Sequence, residues 1–233
     1  MAIRPWLMCC NKEGTMAQKK VNAVIHSQEK LAEGIYSMWL DAPEMAKAAV
    51  PGQFIAVYTN DQSKLLPRPI SICEADKENG RLRIVYRIAG AGTKEFSAYK
   101  EGDTLDIMGP LGNGFPLKKK KAFLIGGGIG IPPMLELAKN LDCEKTAVIG
   151  YRDKETFLAD ELRKYADVVI ATEDGSVGTK GNVIDAIRAE KLTADIIYAC
   201  GPTPMLKALK TYAMENGIEC YISLEEKMAC GIG

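Results

Sequence analysis

The chain has 233 residues, with 30 basic and 30 acidic side chains that leave no formal net charge, and 47% of it is hydrophobic. That balance excludes general attraction to nucleic acid or an anionic membrane, and the apolar content suffices for two modest cores. The longest apolar stretches, such as Ala122 to Met134, are broken by glycine and proline and fall short of the roughly 20 residues that cross a bilayer. Seven cysteines, an odd number without paired spacing, fit a reducing, cytoplasmic compartment better than a disulfide framework.

Residues 1–19 read as a disordered N-terminal extension, because their apolar part is too short for a secretory signal and Met16 precedes a plausible domain start. From residue 20 to 117, short β-rich runs alternate with turn signals: Val21–His26, Ile35–Leu40, Gln53–Thr59, Pro69–Cys73, Arg81–Ile88 and Thr104–Met108. These predict a small antiparallel β-barrel of Greek-key type, with turns at Pro51-Gly52 and Asn79-Gly80. Thr93 to Tyr99 predicts one short helix whose first turn offers backbone N–H groups to an anion.

Lys118 to Lys121 reads as a solvated linker, since ammonium side chains are rarely buried unpaired. From residue 122 to 222 the rhythm changes. Strand-like Ala122–Ile125, Thr146–Ile149, Val168–Ala171, Ile196–Cys200 and Cys220–Leu224 alternate with helix-like Pro132–Asn140, Lys154–Tyr165, Val183–Glu190 and Thr203–Asn216. The alternation predicts an α/β, doubly wound parallel sheet, whose ligands sit at the carboxyl ends of the strands. Gly126, Glu173 and Cys200 fall at such ends.

Several segments carry chemistry. Arg68 lies between Pro67 and Pro69, and its guanidinium suits a diphosphate. Ser71 lies three residues on, so this entry must bend if both side chains touch one cofactor, because only residues two apart share a strand face. Val85-Tyr86-Arg87 and Gly92-Thr93 add backbone contacts, an aromatic surface and a helix-terminal phosphate site.

Gly126, Gly127, Gly128 and Gly130 follow a strand and precede Pro132, a placement that lets bare backbone approach a diphosphate. Ile131 occupies the third glycine position of G-x-G-x-x-G, which disfavours a conventional Rossmann dehydrogenase. Cys200-Gly201-Pro202 ends a strand and opens a helix, placing a polarizable thiol at the mouth of a nucleotide cleft. Glu173 and Asp174 suit ribose hydroxyls and oppose a 2′-phosphate, which tilts the choice to NADH, although Arg152 pulls the other way. His26 is the only histidine, so a histidine metal site or a Ser-His-Asp triad has little support.

Together, the barrel pattern, Arg68-Pro-Ile-Ser71, the Gly126 loop and Cys200-Gly-Pro202 make the chain resemble the ferredoxin-NADP reductase superfamily. Residues 223–233, Ser-Leu-Glu-Glu-Lys-Met-Ala-Cys-Gly-Ile-Gly, resemble more narrowly the start of the iron-sulfur segment in electron-transfer subunits of class 1B (NAD-dependent) dihydroorotate dehydrogenase, or dihydroorotate dehydrogenase B.

The resemblance implies FAD held by Arg68, Pro69, Ile70, Ser71, Val85, Tyr86, Arg87, Gly92 and Thr93. It implies NAD(H) at the second half, with Ser71 tuning the flavin, Cys200 beside the nicotinamide and Glu225 helping to seat it. It further implies an FMN-containing catalytic partner, in a heterotetramer, that oxidises dihydroorotate to orotate in pyrimidine biosynthesis. Cys230 matches the first of four 2Fe-2S ligands. One thiolate cannot hold such a cluster, so the chain as given is expected to lack it and to be a fragment. Two alternatives stay open at this point: a reductase subunit serving ferredoxin, sulfur or an oxygenase, and a non-enzymatic flavin-binding assembly module.

Overall fold

The computed structural model describes residues 20–61 and 66–223. They form two compact units that part between Gly114 and Phe115.

The first unit is a closed six-stranded barrel built from β1 (Lys20–Ala32), β2 (Ile35–Asp41), β3 (Phe54–Val57), β4 (Arg68–Asp76), β5 (Arg81–Arg87) and β6 (Thr104–Leu111). Their order around the barrel is β1-β2-β5-β4-β3-β6 and every pair is antiparallel. The neighbours β2–β5 and β3–β6 are distant in sequence, as a Greek key requires. Alternate residues point inward, so Ile25, Met38, Leu40, Ile55, Ile72, Leu82, Ile84 and Leu105 fill the interior without solvent contact.

Two short helices close the ends: α1 (Pro43–Ala48) and α2 (Ala91–Phe96). The first was not anticipated, although Pro43 in its first turn followed by Glu44 is a start signal. The second begins two residues before the expected Thr93 and ends at Phe96, whose ring enters the barrel core.

The second unit holds a six-stranded sheet in the order β10-β9-β8-β7-β11-β12. Its members are β7 (Ala122–Gly127), β8 (Lys145–Tyr151), β9 (Asp167–Thr172), β10 (Thr179–Lys180), β11 (Ile196–Cys200) and β12 (Glu219–Ser223), all pairing in parallel. The helices are α3 (Pro132–Asn140), α4 (Ala159–Leu162), α5 (Val183–Ala189) and α6 (Thr203–Asn216). Phe123, Ile125, Val148, Ile197 and Ala199 form one core with α5 and α6. Leu124 points to the opposite face, the side on which α3 and α4 pack, so the sheet is covered on both sides.

Two expectations change here. The helix expected over Lys154–Tyr165 shrinks to α4, because the Asp153 carboxylate accepts from Glu155 N at 2.9 Å to make a turn and Leu158 takes a left-handed φ of 65°. Lys118–Lys121 lies inside the sheet unit as ion-paired chain rather than as a free linker. Lys118 and Lys120 both pair with Glu219, Lys119 pairs with Asp142, and Lys121 with Glu144. Among the described residues no helix is long and apolar enough to cross a membrane, and no cluster of His, Cys, Asp and Glu is arranged to hold a metal.

Candidate functional site

Within the barrel, the register between β4 and β5 runs from Asp76/Arg81 to Ile72/Ile84 and stops there. Arg68–Ser71 goes on pairing with β3, and Val85–Arg87 goes on pairing with β2. Among the described residues, the facing edges of these two segments are therefore unpaired with each other, and their backbone groups need other partners. Both flavin-binding stretches expected from the sequence lie at this opening.

Arg68 does not bend away from Ser71. β4 is regular across both, with Ile70 inside the barrel and Pro69 on the outer face, so Arg68 and Ser71 sit on opposite faces. The Arg68 guanidinium donates to the Leu66 carbonyl and packs onto Gly92: an ideal Cβ at Gly92 would fall 2.7 Å from Arg68 Cζ and 2.8 Å from Nη2. A side chain at position 92 would therefore have to displace the guanidinium.

Thr93 and Tyr86 depart from expectation. The Thr93 hydroxyl accepts from Ala89 N at 2.9 Å and Gly90 N at 3.2 Å and lies 3.2 Å from the Gly90 carbonyl, so it serves the local turn. What the first turn of α2 retains for an anion is backbone N–H, since the first helical bond is donated by Lys94 N to Gly90 O.

The Tyr86 ring lies in the barrel core, stacked on Tyr36 at 5.9 Å and edge-on to Phe96 at 6.0 Å, so it presents no aromatic surface. Burial pushes its phenol well above the ordinary value. Its hydroxyl donates to Gln28 Oε1 at 2.8 Å, and Gln28 Nε2 donates to the carbonyls of Phe96 at 3.1 Å and Tyr99 at 2.8 Å. Sequence reasoning missed Gln28, the residue that ties the end of α2 to β5, because no local pattern marks a contact so distant in sequence.

In the sheet unit, Gly126 and Cys200 are register partners on adjacent strands, and Cys200 also faces Ser223 across β12. The chain runs from β7 to β8 on one side while β11 lies on the other, so the carboxyl ends of β7 and β11 flank the topological switch point, where doubly wound sheets bind ligands. Most of the glycines there answer to the fold. A Cβ at Gly130 would lie 2.6 Å from Gly201 N and collide with the Cys200 carbonyl, and one at Gly126 would lie 2.8 Å from Ile131 Cα. Gly127 and Gly201 are both covered by Met205. Gly128 alone of these combines a positive φ, 53°, with no protein atom within 4 Å of its Cβ position. Gly128 is also partly exposed while Gly126, Gly127 and Gly130 are buried, and in the turn after β11 the exposed Pro202 immediately precedes α6.

Glu173 and Asp174 follow β9 and are both exposed. Their backbone N–H groups donate to the Tyr151 and Arg152 carbonyls at 3.2 Å, which sets this corner beside the end of β8. The Asp174 carboxylate accepts from Ser176 N at 2.9 Å, and hydrogen bonds from Ser176 hold it below the usual carboxylate range. Glu225 and Cys230 lie outside the described residues. His26 is a half-exposed β1 residue 4.0 Å from Asp41 Oδ2.

A family model described as "Oxidoreductase FAD-binding domain" matches residues 22–115, all of the barrel but the first two residues of β1. Among solved structures, the chain is 32% identical to an NADH-dependent reduced ferredoxin-NADP oxidoreductase, at a TM-score of 0.83 over 95% of this chain and 80% of that one. It also superimposes on a ferredoxin NADP+ reductase from Neisseria gonorrhoeae with a TM-score of 0.73 at 16% identity, over 89% of this chain and all of that one, a likeness of fold. An FAD-binding barrel followed by a parallel sheet of this order defines an oxidoreductase flavoprotein of the ferredoxin-NADP reductase type.

Curated relatives narrow the class. The chain is 42% identical to the dihydroorotate dehydrogenase B (NAD(+)) electron transfer subunit of Geobacillus sp. strain WCH70, over 94% of this chain and 87% of that protein. It is 45% identical to the subunit of the same name from Streptococcus mutans, over 92% and 85%. The chain belongs to the family of dihydroorotate dehydrogenase B electron transfer subunits.

Proposed function

We propose that this chain carries electrons between an FMN-containing catalytic subunit, which oxidises dihydroorotate to orotate, and NAD, using FAD held by the barrel. The observation that carries the reading is the parting of β4 from β5 beyond Ile72/Ile84, with the Arg68 guanidinium packed on Gly92 beside it. An elongated, anionic, edge-binding ligand satisfies both features. When bound, FAD supplies the redox chemistry, exchanging a hydride equivalent with nicotinamide and electrons singly with other centres.

The protein's part is binding and orientation. Arg68 neutralises the diphosphate, together with N–H groups in the first turn of α2. Along the edge, the backbone of Pro69, Ile70, Val85, Tyr86 and Arg87 would hold the planar ring system, and the Ser71 hydroxyl would supply it with a hydrogen bond. In the sheet unit, Gly128 offers bare backbone to the dinucleotide diphosphate, Cys200 packs against the nicotinamide, and Glu173 accepts from a ribose hydroxyl. The assembly is a heterotetramer in a reducing cytoplasm, a setting consistent with Cys73, Cys143, Cys200 and Cys220 remaining outside disulfides.

Anaerobic addition of NADH to the FAD-supplemented protein tests the reading: bleaching of a bound flavin spectrum is the expected result, and a folded sample that retains no flavin rejects it. Copurification with an FMN protein that forms orotate tests the partner, and ferredoxin reduction without orotate formation would count against it.

A further inference from the structure

Met205 is the third residue of α6 and is half-buried over the switch point. A Cβ at Gly127 would lie 2.7 Å from its Sδ, and a Cβ at Gly201 would lie 2.6 Å from its Cε. Gly201 holds a φ of 154°, and its Cβ position is also 3.1 Å from Gly127 N, so the two glycines approach one another beneath one thioether. The space beside Gly127 of the glycine loop and beside Gly201 of the facing turn is therefore occupied by one methionine side chain. At Gly128 it stays open.

We infer that Met205 is a positioning residue of the nucleotide site, forming the apolar seat of the nicotinamide ring while Gly128 receives the diphosphate; this rests on the function proposed above. The physical reasons are three. Met205 bridges the ends of β7 and β11, the two strands flanking the switch point. Its unbranched chain has three rotatable bonds, so it fills the crevice over the glycines and yields when a ring arrives. A thioether is also polarizable and packs favourably against an aromatic ring, as the neighbouring Cys200 thiol does more weakly.

The test uses the full chain loaded with FAD, with calorimetric titration of NAD+ and steady-state NADH oxidation by ferricyanide. Met205→Ala is expected to weaken NAD+ binding and raise the KM for NADH by about 3- to 10-fold, with kcat within about twofold and flavin retention unchanged. Met205→Leu, which restores apolar volume, is expected to recover most of the loss. Should Met205→Ala fail to fold, Met205→Gln, of similar volume but polar, is expected to give the same weakened binding in a folded protein. Unchanged NAD+ affinity in a folded Ala or Gln variant overturns the inference, and so does a fall in kcat at constant KM. If the wild type binds NAD+ yet oxidises no NADH, the electron-transfer reading fails while the titration still decides the role of Met205.

Discussion

The backbone of Cys200 lies where a side chain at Gly130 would have to stand: a Cβ there would be 2.6 Å from Gly201 N and in collision with the Cys200 carbonyl. The glycine loop after β7 and the turn after β11, far apart in sequence, are thereby one packed unit at the carboxyl edge of the sheet. Gly130→Ala is expected to cost about 2 kcal/mol, since the clash is with backbone that has no rotamer to yield. Gly128→Ala, whose side chain meets nothing, is expected to cost about 1 kcal/mol for its left-handed conformation. Urea unfolding of the two variants checks the order, and equal costs would contradict it.

Arg68 and Gly92 make a second such pair, with a different outcome because the obstructing atoms end a flexible side chain. Arg68→Ala is expected to lower FAD affinity by about 10-fold through loss of a charge-assisted bond. Gly92→Ala is expected to do much the same by displacing the guanidinium. In the Arg68→Ala background Gly92→Ala should then add little, so the two losses are strongly non-additive. Calorimetric FAD titrations of the four proteins measure this, and full additivity would separate the residues.

Glu219 titrates far from its ordinary range. The hydrogen bond from Lys118, then those from Tyr221 and Lys120, pull its pKa from 4.5 to about 2. A carboxylate depressed on folding contributes stability above its unfolded pKa and loses it as the pH falls through the folded one. Glu219→Gln is accordingly expected to be less stable than wild type by about 1 kcal/mol at pH 7, the value being kept small because the pair is partly solvated. The difference should vanish between about pH 4.5 and pH 2. Denaturation at several pH values tests the sign, and a gap that widens on acidification would refute it.

Tyr198 is fully buried, and its hydroxyl donates to the Pro116 carbonyl at 2.6 Å while accepting from Lys118 N at 3.3 Å. Burial pushes its pKa up to about 12. Tyr198→Phe leaves two backbone groups without this partner and is expected to cost about 1–2 kcal/mol. Thermal melting should fall without loss of bound flavin, because every contact named here lies within the sheet unit.

Much of the architecture is legible in the residues. α3, α6 and β11 run over the same residues that apolar periodicity and the flanking proline and glycine signals predict. The two residues of β10 carry no period and leave no signal in the sequence, and α4 is shorter than its sequence predicts because an aspartate turn resembles a helix start. Ligand roles were harder to read. Tyr86 points into the core and Thr93 closes its own turn, directions that depend on the register of β5 and the cap of α2.

The order of chemical motifs, the change from period two to βα alternation, and hence the class of protein were determined by the sequence alone, because these are local properties of the chain. Only the tertiary structure decided where β4 leaves β5, which glycines are spoken for by neighbouring protein atoms, and that Met205 covers two of them. Each of these turns on close approach between residues remote in sequence, and hard-core repulsion at that range is decided by three-dimensional packing, which no single stretch of residues records.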